Sequence, residues 1–480
     1  MNTHLLAMQL MACQGCLGAF DTLYHHELTE ALPQRAGAAR ELAIHALRAM
    51  IYSALFIGLS AWVFQGAWAL LLLLVFVVEI GLTLWDFVVE DRTRLLPATE
   101  RVTHTVLAMN GGAFIALLAL DTPAWLALPT KLVWQPQGNL GVFLALCGIG
   151  VGLSGLRDAL AARALGKRAA LAPQAVSFGA AGRSFLVTGA TGFIGQFLVR
   201  ALLRDGQRVT VVSRQPRQAA FLFEGRVDCV ASVDELAPSR RFDVVINLAG
   251  ARILGWRWSA RRRAQLRQSR VALTDRLVDW IGAAEHKPAM LLSASAIGYY
   301  GVQERGDDRI LTEDAPPQAI FMSDLCREWE AAAQGARVHG VTVACMRFGL
   351  VLGRQGALPM MLLPIKLGLG GPLAGGMQWL SWIHVDDLIA ALGHLCLHGA
   401  SGSYNFTAPE SVPQAQFSRV AASVLRRPYG LPTPGWPMRL ALGEQADLLL
   451  EGQRVMPDRL LKSGFVFRYP QLESALRSLA

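Results

Sequence analysis

Five apolar stretches crowd the first third of the chain, at about 5–21, 46–64, 67–88, 105–121 and 139–156. Each is close to the ~20 residues that a helix needs to cross the hydrocarbon of a bilayer. Lipid offers the backbone no hydrogen-bond partners, so segments of this kind have helix as their solution. The first expectation is therefore an all-α transmembrane helical domain over 1–160. The third stretch is the most apolar; the first is the weakest, interrupted by Gln9 and Gln14. Composition agrees, with only 17% of residues charged against about 25% in soluble domains.

Basic residues orient this bundle. Arg35, Arg40 and Arg48 follow the first stretch, Arg92, Arg94 and Arg101 the third, and Arg157, Arg163, Lys167 and Arg168 the fifth. The opposite-side loops hold only Gln65-Gly66 and, across 122–138, Lys131. Lys and Arg flanks are retained inside. Five spans then place the N-terminus outside and everything beyond 160 in the cytoplasm, on a multi-pass protein of the cell (inner) membrane. The apolar N-terminus lacks a basic lead-in and a cleavage site, so it reads as retained. A net charge of +9 invites a nucleic-acid partner. No basic stripe is interleaved with aromatics, which argues against one; the lipid bilayer and a phosphate-bearing cofactor explain the charge better. The seven cysteines are mostly scattered, and Cys13 and Cys16 lie inside an apolar helix, so neither a disulfide framework nor a zinc site is expected.

The bundle also repeats itself. One hairpin reads Asp21, His25-His26, Leu32-Pro33, then Glu41 and His45; a second reads Asp86, Glu90-Asp91, Leu96-Pro97, then Glu100 and His104. A spacing of four puts Glu and His one turn apart on one helix face. His45, His104, Glu41, Glu100, Asp86 and His26 thus form a candidate nitrogen–oxygen metal set suited to iron, zinc or manganese. Polar packing competes with it, as do helix capping and ion pairs to Arg48 and Arg101. Glu79, seven residues before Asp86 and near mid-span, adds an intramembrane carboxylate that calls for a partner or a role.

After an Ala/Gly-rich linker at 161–183 the pattern changes. Ser184-Phe-Leu-Val-Thr188 reads as a buried strand, 189–195 (GATGFIG) as a glycine loop, 196–206 as a helix and 208–214 as a second strand. In that context the glycines allow a tight turn and close approach to a pyrophosphate, whose charge meets the helix N-terminus. Gly189, Thr191, Gly192, Phe193, Ile194 and Gly195 are the cofactor candidates there. The second strand ends in Ser213-Arg214, with Arg217 close by, where NAD sites carry an acid and NADP sites a base. NADP(H) is the expected cofactor. A strand at 242–246 ends in Asn247-Leu248-Ala249-Gly250, a small-residue loop suited to pass by the adenosine half.

These motifs, with SASAIGYYG (293–301), TEDAPP (312–317), LCREWEAAA (325–333), RFGLVLG (347–353), WIHVDDL (382–388) and 454–476, resemble the atypical NAD(P)-dependent epimerase family of the extended short-chain dehydrogenase/reductases. The resemblance covers 184–480. It implies an α/β fold, an NAD(P)-binding Rossmann doubly wound parallel sheet over 184–429, with a small C-terminal domain at 430–480. It also implies a small-molecule substrate.

Typical members of the superfamily use a Ser with Tyr and Lys spaced YxxxK, the lysine lowering the tyrosine's pKa for proton exchange during hydride transfer. The matching helix here places Met322 and Cys326, or by a one-residue shift Phe321 and Leu325, at those positions. The dyad is absent in either alignment. Ser295 fits the substrate-polarising serine, and Tyr299 and Tyr300 offer hydroxyls from the next loop, with a core or lid role as the alternative. Arg347 and His384-Val-Asp386-Asp387 fall where extended members shape the far side of the pocket, Arg347 being a candidate cofactor contact and Asp386 an N-cap or a ligand. Two functions follow: a membrane-anchored NADP(H)-dependent oxidoreductase or epimerase with a non-standard acid/base, or a domain that binds NADP(H) without turnover and reports redox state to the membrane.

Overall fold

The computed structural model describes residues 3–29, 32, 38–93, 98–169, 175–253, 255 and 257–480, with the backbone alone for 26–29, 92–93 and 167–169. The chain divides into two compact units, Met1–Pro173 and Gln174–Ala480.

Helices α1 (Thr3–Phe20), α2 (Ala39–Ala61), α3 (Ala67–Thr93), α4 (Ala98–Leu126) and α5 (Gly138–Ala169) build the first unit. Among the described residues, four segments are long and apolar enough to cross a membrane: Ala39–Ala61, Ala67–Asp91, Ala98–Leu126 and Gly138–Gly166. The expected fifth, α1, does not qualify. It is shorter, and its glutamines serve the interior: buried Gln14 donates to the Tyr52 hydroxyl and accepts from Asn110 Nδ2. It lies antiparallel to α4, tied by Thr3 to Asp121 at one end and by Asp21 to His104 at the other. Glycines bring α5 onto α2. A Cβ at Gly148 would sit 2.7 Å from Ile57, one at Gly152 2.7 Å from the Ser53 hydroxyl, and one at Gly155 2.7 Å from Ala49. Such small-residue seams let helix backbones approach closely. Where the second apolar stretch was expected to run helical to 64, the chain instead leaves α2 as strand β1 (Trp62–Gln65), paired antiparallel with β2 (Lys131–Trp134). Trp62 and Trp134 meet edge-on in that pair.

The second unit is a seven-stranded parallel sheet. Its strands are β3 (Ser184–Thr188), β4 (Arg208–Val212), β5 (Asp228–Val230), β6 (Val244–Asn247), β7 (Met290–Ala296), β8 (Thr342–Phe348) and a last strand, Gly402–Phe406. Reading across from Gly402–Phe406, the order is β8, β7, β6, β3, β4, β5. The chain winds outward both ways from β3, so the order reverses between β3 and β6. That switch point leaves a crevice beyond the carboxyl ends of the strands. One core face joins Val187, Ile246 and Leu292 to helix α6 (Phe193–Arg204) and to helix Val385–His398; the other joins Leu186, Val245 and Leu291 to Leu277 and Ala333.

One boundary differs from expectation. Helix α5 continues to Ala169, into the expected linker, and the chain has already joined the second unit by Phe178, which is buried against Phe185. The segment 430–480 does not build a core of its own. Leu460, Phe465 and Phe467 complete the core around Val187, and Leu472, Ala475 and Leu476 pack with Trp382 and Phe417.

Candidate functional site

Strand pairing lays out the floor of the crevice. Thr188 lies opposite Asn247, and Asn247 opposite Ser293. The Thr188 hydroxyl donates to Asn247 Oδ1 (2.6 Å), and Asn247 Nδ2 donates to Thr274 Oγ1 (2.8 Å). The amide of Ala249 donates to Thr188 Oγ1, so the loops after β3 and β6 are fixed to each other. Gly189 has a φ of 68°, and a Cβ there would lie 2.7 Å from the Leu248 carbonyl. At Gly195 a Cβ would lie 2.2 Å from the Gly189 oxygen. Gly192 opens α6 as its N-cap without a side-chain cap, which leaves the first-turn N–H groups for an anion. Thr191 is exposed at the rim, Ile194 and Leu248 pack on the core, and the Phe193 ring fills the space beside Gly353 and Gly356.

Past β4, the Ser213 hydroxyl accepts from the Gln215 amide, while Arg214 and Arg217 are exposed. A turn, a close backbone approach, a free helix N-terminus and exposed cations at the strand end together fit a dinucleotide with a 2′-phosphate. Arg270, which sequence reasoning missed, is buried beneath this cradle. It donates to the Ala251 carbonyl, and a Cβ at Gly250 would sit 3.1 Å from its Cζ.

A second row lies farther along the sheet, with Ser295 opposite Arg347 and Arg347 opposite Asn405. Glu330, on helix Phe321–Gln334, binds this row together. It accepts from the Ser295 hydroxyl (2.7 Å), from Arg347 Nε (2.7 Å) and Nη2 (2.8 Å), and from Ser403 (3.1 Å). Arg347 Nη1 donates to the Tyr300 oxygen and the Glu313 carbonyl, and the Tyr300 hydroxyl donates to Asn405 (2.6 Å). The guanidinium stacks on the Tyr299 ring, 3.5 Å from its centroid.

This geometry corrects one expectation and narrows another. All three Arg347 nitrogens are engaged inside the protein, so Arg347 is a structural cation rather than a cofactor contact. Ser295 and Tyr300 are buried in the same lock, and burial pushes the Tyr300 phenol up to about 12. Tyr299, half-buried, is the one of the three outside that hydrogen-bonded lock. Glu330 lies within the LCREWEAAA motif (325–333), but its partners are set by strand register, which no local pattern announces.

Met322 and Cys326 face Gly298 in the loop after β7: a Cβ at Gly298 would lie 3.3 Å from Met322 Cε and 4.0 Å from Cys326 Sγ. One of the two alignments places the dyad at these positions, the other at Phe321 and Leu325. Burial pushes the Cys326 thiol up to about 12, so it stays protonated near neutrality and offers no thiolate base. His384, not Asp386, caps helix Val385–His398, its Nδ1 accepting from the Asp386 amide. Asp387 accepts from the amides of Arg468 and Tyr469. These residues fasten the C-terminal segment instead of lining the pocket.

In the helical unit, the candidate metal set converges in part. Glu41, His45 and Glu90 bring ligand atoms within 4.8 Å of one another. Glu90 Oε2 is 3.2 Å from His104 Nδ1, and His104 Nε2 is 3.2 Å from Asp21 and 4.0 Å from Glu100. Asp86 accepts from Arg48 (2.7 Å), which also reaches Glu79 (3.3 Å), so the expected ion pair of Arg48 is present. Asp21 and Glu90 belong to the cluster and were not among the expected ligands. The side chain of His26 lies outside the described residues.

The sequence pattern of the NAD dependent epimerase/dehydratase family matches residues 185–406, and a domain of unknown function (DUF1731) matches 433–479. The chain is 38% identical to the Arabidopsis thaliana epimerase family protein SDR39U1 homolog, chloroplastic, over 61% of its own length and 85% of that protein. It is 38% identical to the Bacillus subtilis epimerase family protein YfhF, over 61% of this chain and 96% of that one. Among solved structures, it resembles the human epimerase family protein SDR39U1 (isoform 2) with NADPH, at 35% identity and a TM-score of 0.56, covering 62% of this chain and 99% of that one.

Proposed function

This chain belongs to the NAD dependent epimerase/dehydratase family, and from that premise we propose that it is a membrane-anchored, NADP(H)-dependent oxidoreductase or epimerase acting on a small molecule. The observation that carries the reading is the crevice between β3 and β6, with its glycine cradle on one side and exposed Arg214 on the other. The backbone from Gly189 to Gly195 would hold the pyrophosphate, Ser213 and Arg214 the 2′-phosphate, and Leu248, Ala249 and Gly250 the adenosine side. Bound nicotinamide supplies hydride exchange at its C4. The chain's own part is to orient the dinucleotide and exclude water, with Tyr299 the remaining tyrosine for proton exchange. A human relative whose structure is described with NADPH supports the choice of cofactor. Four apolar helices, flanked on one side by arginines, support a multi-pass anchor with the dinucleotide unit in the cytoplasm.

A second reading, binding without turnover, has its own support: the Tyr and Lys of the dyad are absent in either alignment, and Ser295 is bonded to Glu330. Full-length protein incubated with NADPH deuterated at C4 and a panel of nucleotide-sugars and other carbonyl compounds separates the two. Deuterium in a product, matched by NADP⁺, supports turnover. Saturable NADPH binding with no deuterium leaving the cofactor, and no inversion of any panel compound in the presence of NADP⁺, supports a sensor.

A further inference from the structure

The polar interior of the helical unit is explained neither by the dinucleotide site nor by anchoring. Glu41, Asp86, Glu90 and Glu100 are at most 2% exposed, while Leu74, Val77, Leu120 and Leu153 on the outer faces are 59–70% exposed. A bundle that turns leucine outward and carboxylate inward has spent burial on acids, and buried charges are held by partners or by metals.

Three features make the arrangement a coordination site. First, the donors come from separate helices and are mixed. Glu41 and His45 stand one turn apart on α2, and Asp86 and Glu90 one turn apart on α3, so two rigid elements present paired ligands. Second, their spacing suits one ion. Ligands lie about 2.0–2.2 Å from a first-row metal, which sets them about 3–4 Å from each other. Here His45 Nε2 is 3.6 Å from Glu90 Oε1 and 3.2 Å from Asp86 Oδ2, and the ligand atoms of Glu41, His45 and Glu90 are all within 4.8 Å.

Third, an outer layer fixes the inner one. Arg48 Nη1 holds Asp86 Oδ2 at 2.7 Å, and the second carboxylate oxygen of Asp86 is buried with no hydrogen bond among the described residues. The far oxygen of Glu90 faces His104 Nδ1 at 3.2 Å, and His104 is backed in turn by Asp21. Hydrogen-bonded second layers of this kind orient metal-bound carboxylates and imidazoles.

We propose that Glu41, His45 and Glu90 bind one divalent first-row metal ion within the helical bundle, with Asp86 completing the donor set and Arg48 and His104 positioning the carboxylates. One imidazole among carboxylates is a hard, mixed donor set, suited to Mn(II), Fe(II) or Zn(II) and not to copper(I).

The test uses the full chain, purified in detergent on a histidine-free tag, stripped with chelator, reloaded anaerobically with Mn(II), Fe(II) or Zn(II) and desalted. Mass-spectrometric metal analysis should find about one ion per chain for at least one of the three. Glu90→Gln and His45→Ala should each lower the content at least tenfold, while Asp121→Asn, at the other end of α4, leaves it unchanged. Wild type that retains no metal after loading overturns the site, as does a content equal in wild type and Glu90→Gln. If the variants lose their helical circular dichroism, Mn(II)-loaded wild type decides: pulsed electron paramagnetic resonance should show one imidazole nitrogen coupled to the ion, and stoichiometric metal without it overturns the assignment.

Discussion

Arg214 and Arg347 both stand near the carboxyl ends of strands in the same sheet, yet their surroundings give them opposite roles. Arg214 is exposed and available to a phosphate; Arg347 is buried on Glu330. Arg214→Ala should leave stability within about 0.5 kcal/mol, as surface changes do, but weaken NADPH binding by about 1.5–3 kcal/mol with little effect on NADH. Equal losses for both cofactors would remove the 2′-phosphate assignment. Arg347→Met strands a buried carboxylate and should destabilise the fold by about 3–5 kcal/mol, read as a lowered unfolding midpoint. An unchanged midpoint would mean the lock is dispensable. His384 gives a pH signature. Burial depresses its imidazole to about 4 from an ordinary 6.5, so the unfolded chain takes up the proton first as pH falls. The stabilisation is complete above about pH 6.5 and is lost towards pH 4, about 3 kcal/mol in all. His384→Asn, which keeps a cap acceptor, should flatten the acid limb of stability against pH; an unaltered limb contradicts this account. The sequence could not tell the two arginines apart, because Glu330 reaches Arg347 only through the pairing of β7 with β8 and the docking of a distant helix.

At the level of elements, what was legible had local causes. The glycine loop announces itself because turn, approach and helix start each demand a residue without a Cβ within seven positions, and the structure shows all three demands. The helices of the first unit were legible for the same reason, apolar length. Their seams were not. The close contact of α5 with α2 depends on which face Gly148, Gly152 and Gly155 share, and the β1–β2 pair depends on two segments almost seventy residues apart. Gly152→Leu forces a large side chain into the Ser53 hydroxyl and should lower the thermal midpoint of the detergent-solubilised chain, by the 1–3 kcal/mol typical of overpacking. Thermal unfolding followed by circular dichroism checks it. A midpoint equal to wild type would mean the helices separate without cost.

For the whole molecule, the proposed function joins a helical anchor to an NADP(H) crevice on one chain. In a cysteine-free background, Thr130→Cys should react with a membrane-impermeant maleimide from outside intact cells, and Lys167→Cys should react only after the membrane is opened. The reverse pattern would put the dinucleotide unit on the side away from cytoplasmic NADP(H). The most direct measurement is calorimetric titration of the purified full-length chain with NADPH and, separately, with NADH. The account predicts saturation at one NADPH per chain, bound at least about tenfold more tightly than NADH, the equivalent of one charge-assisted contact. Equal affinities, or no saturable binding of either nucleotide, would contradict it.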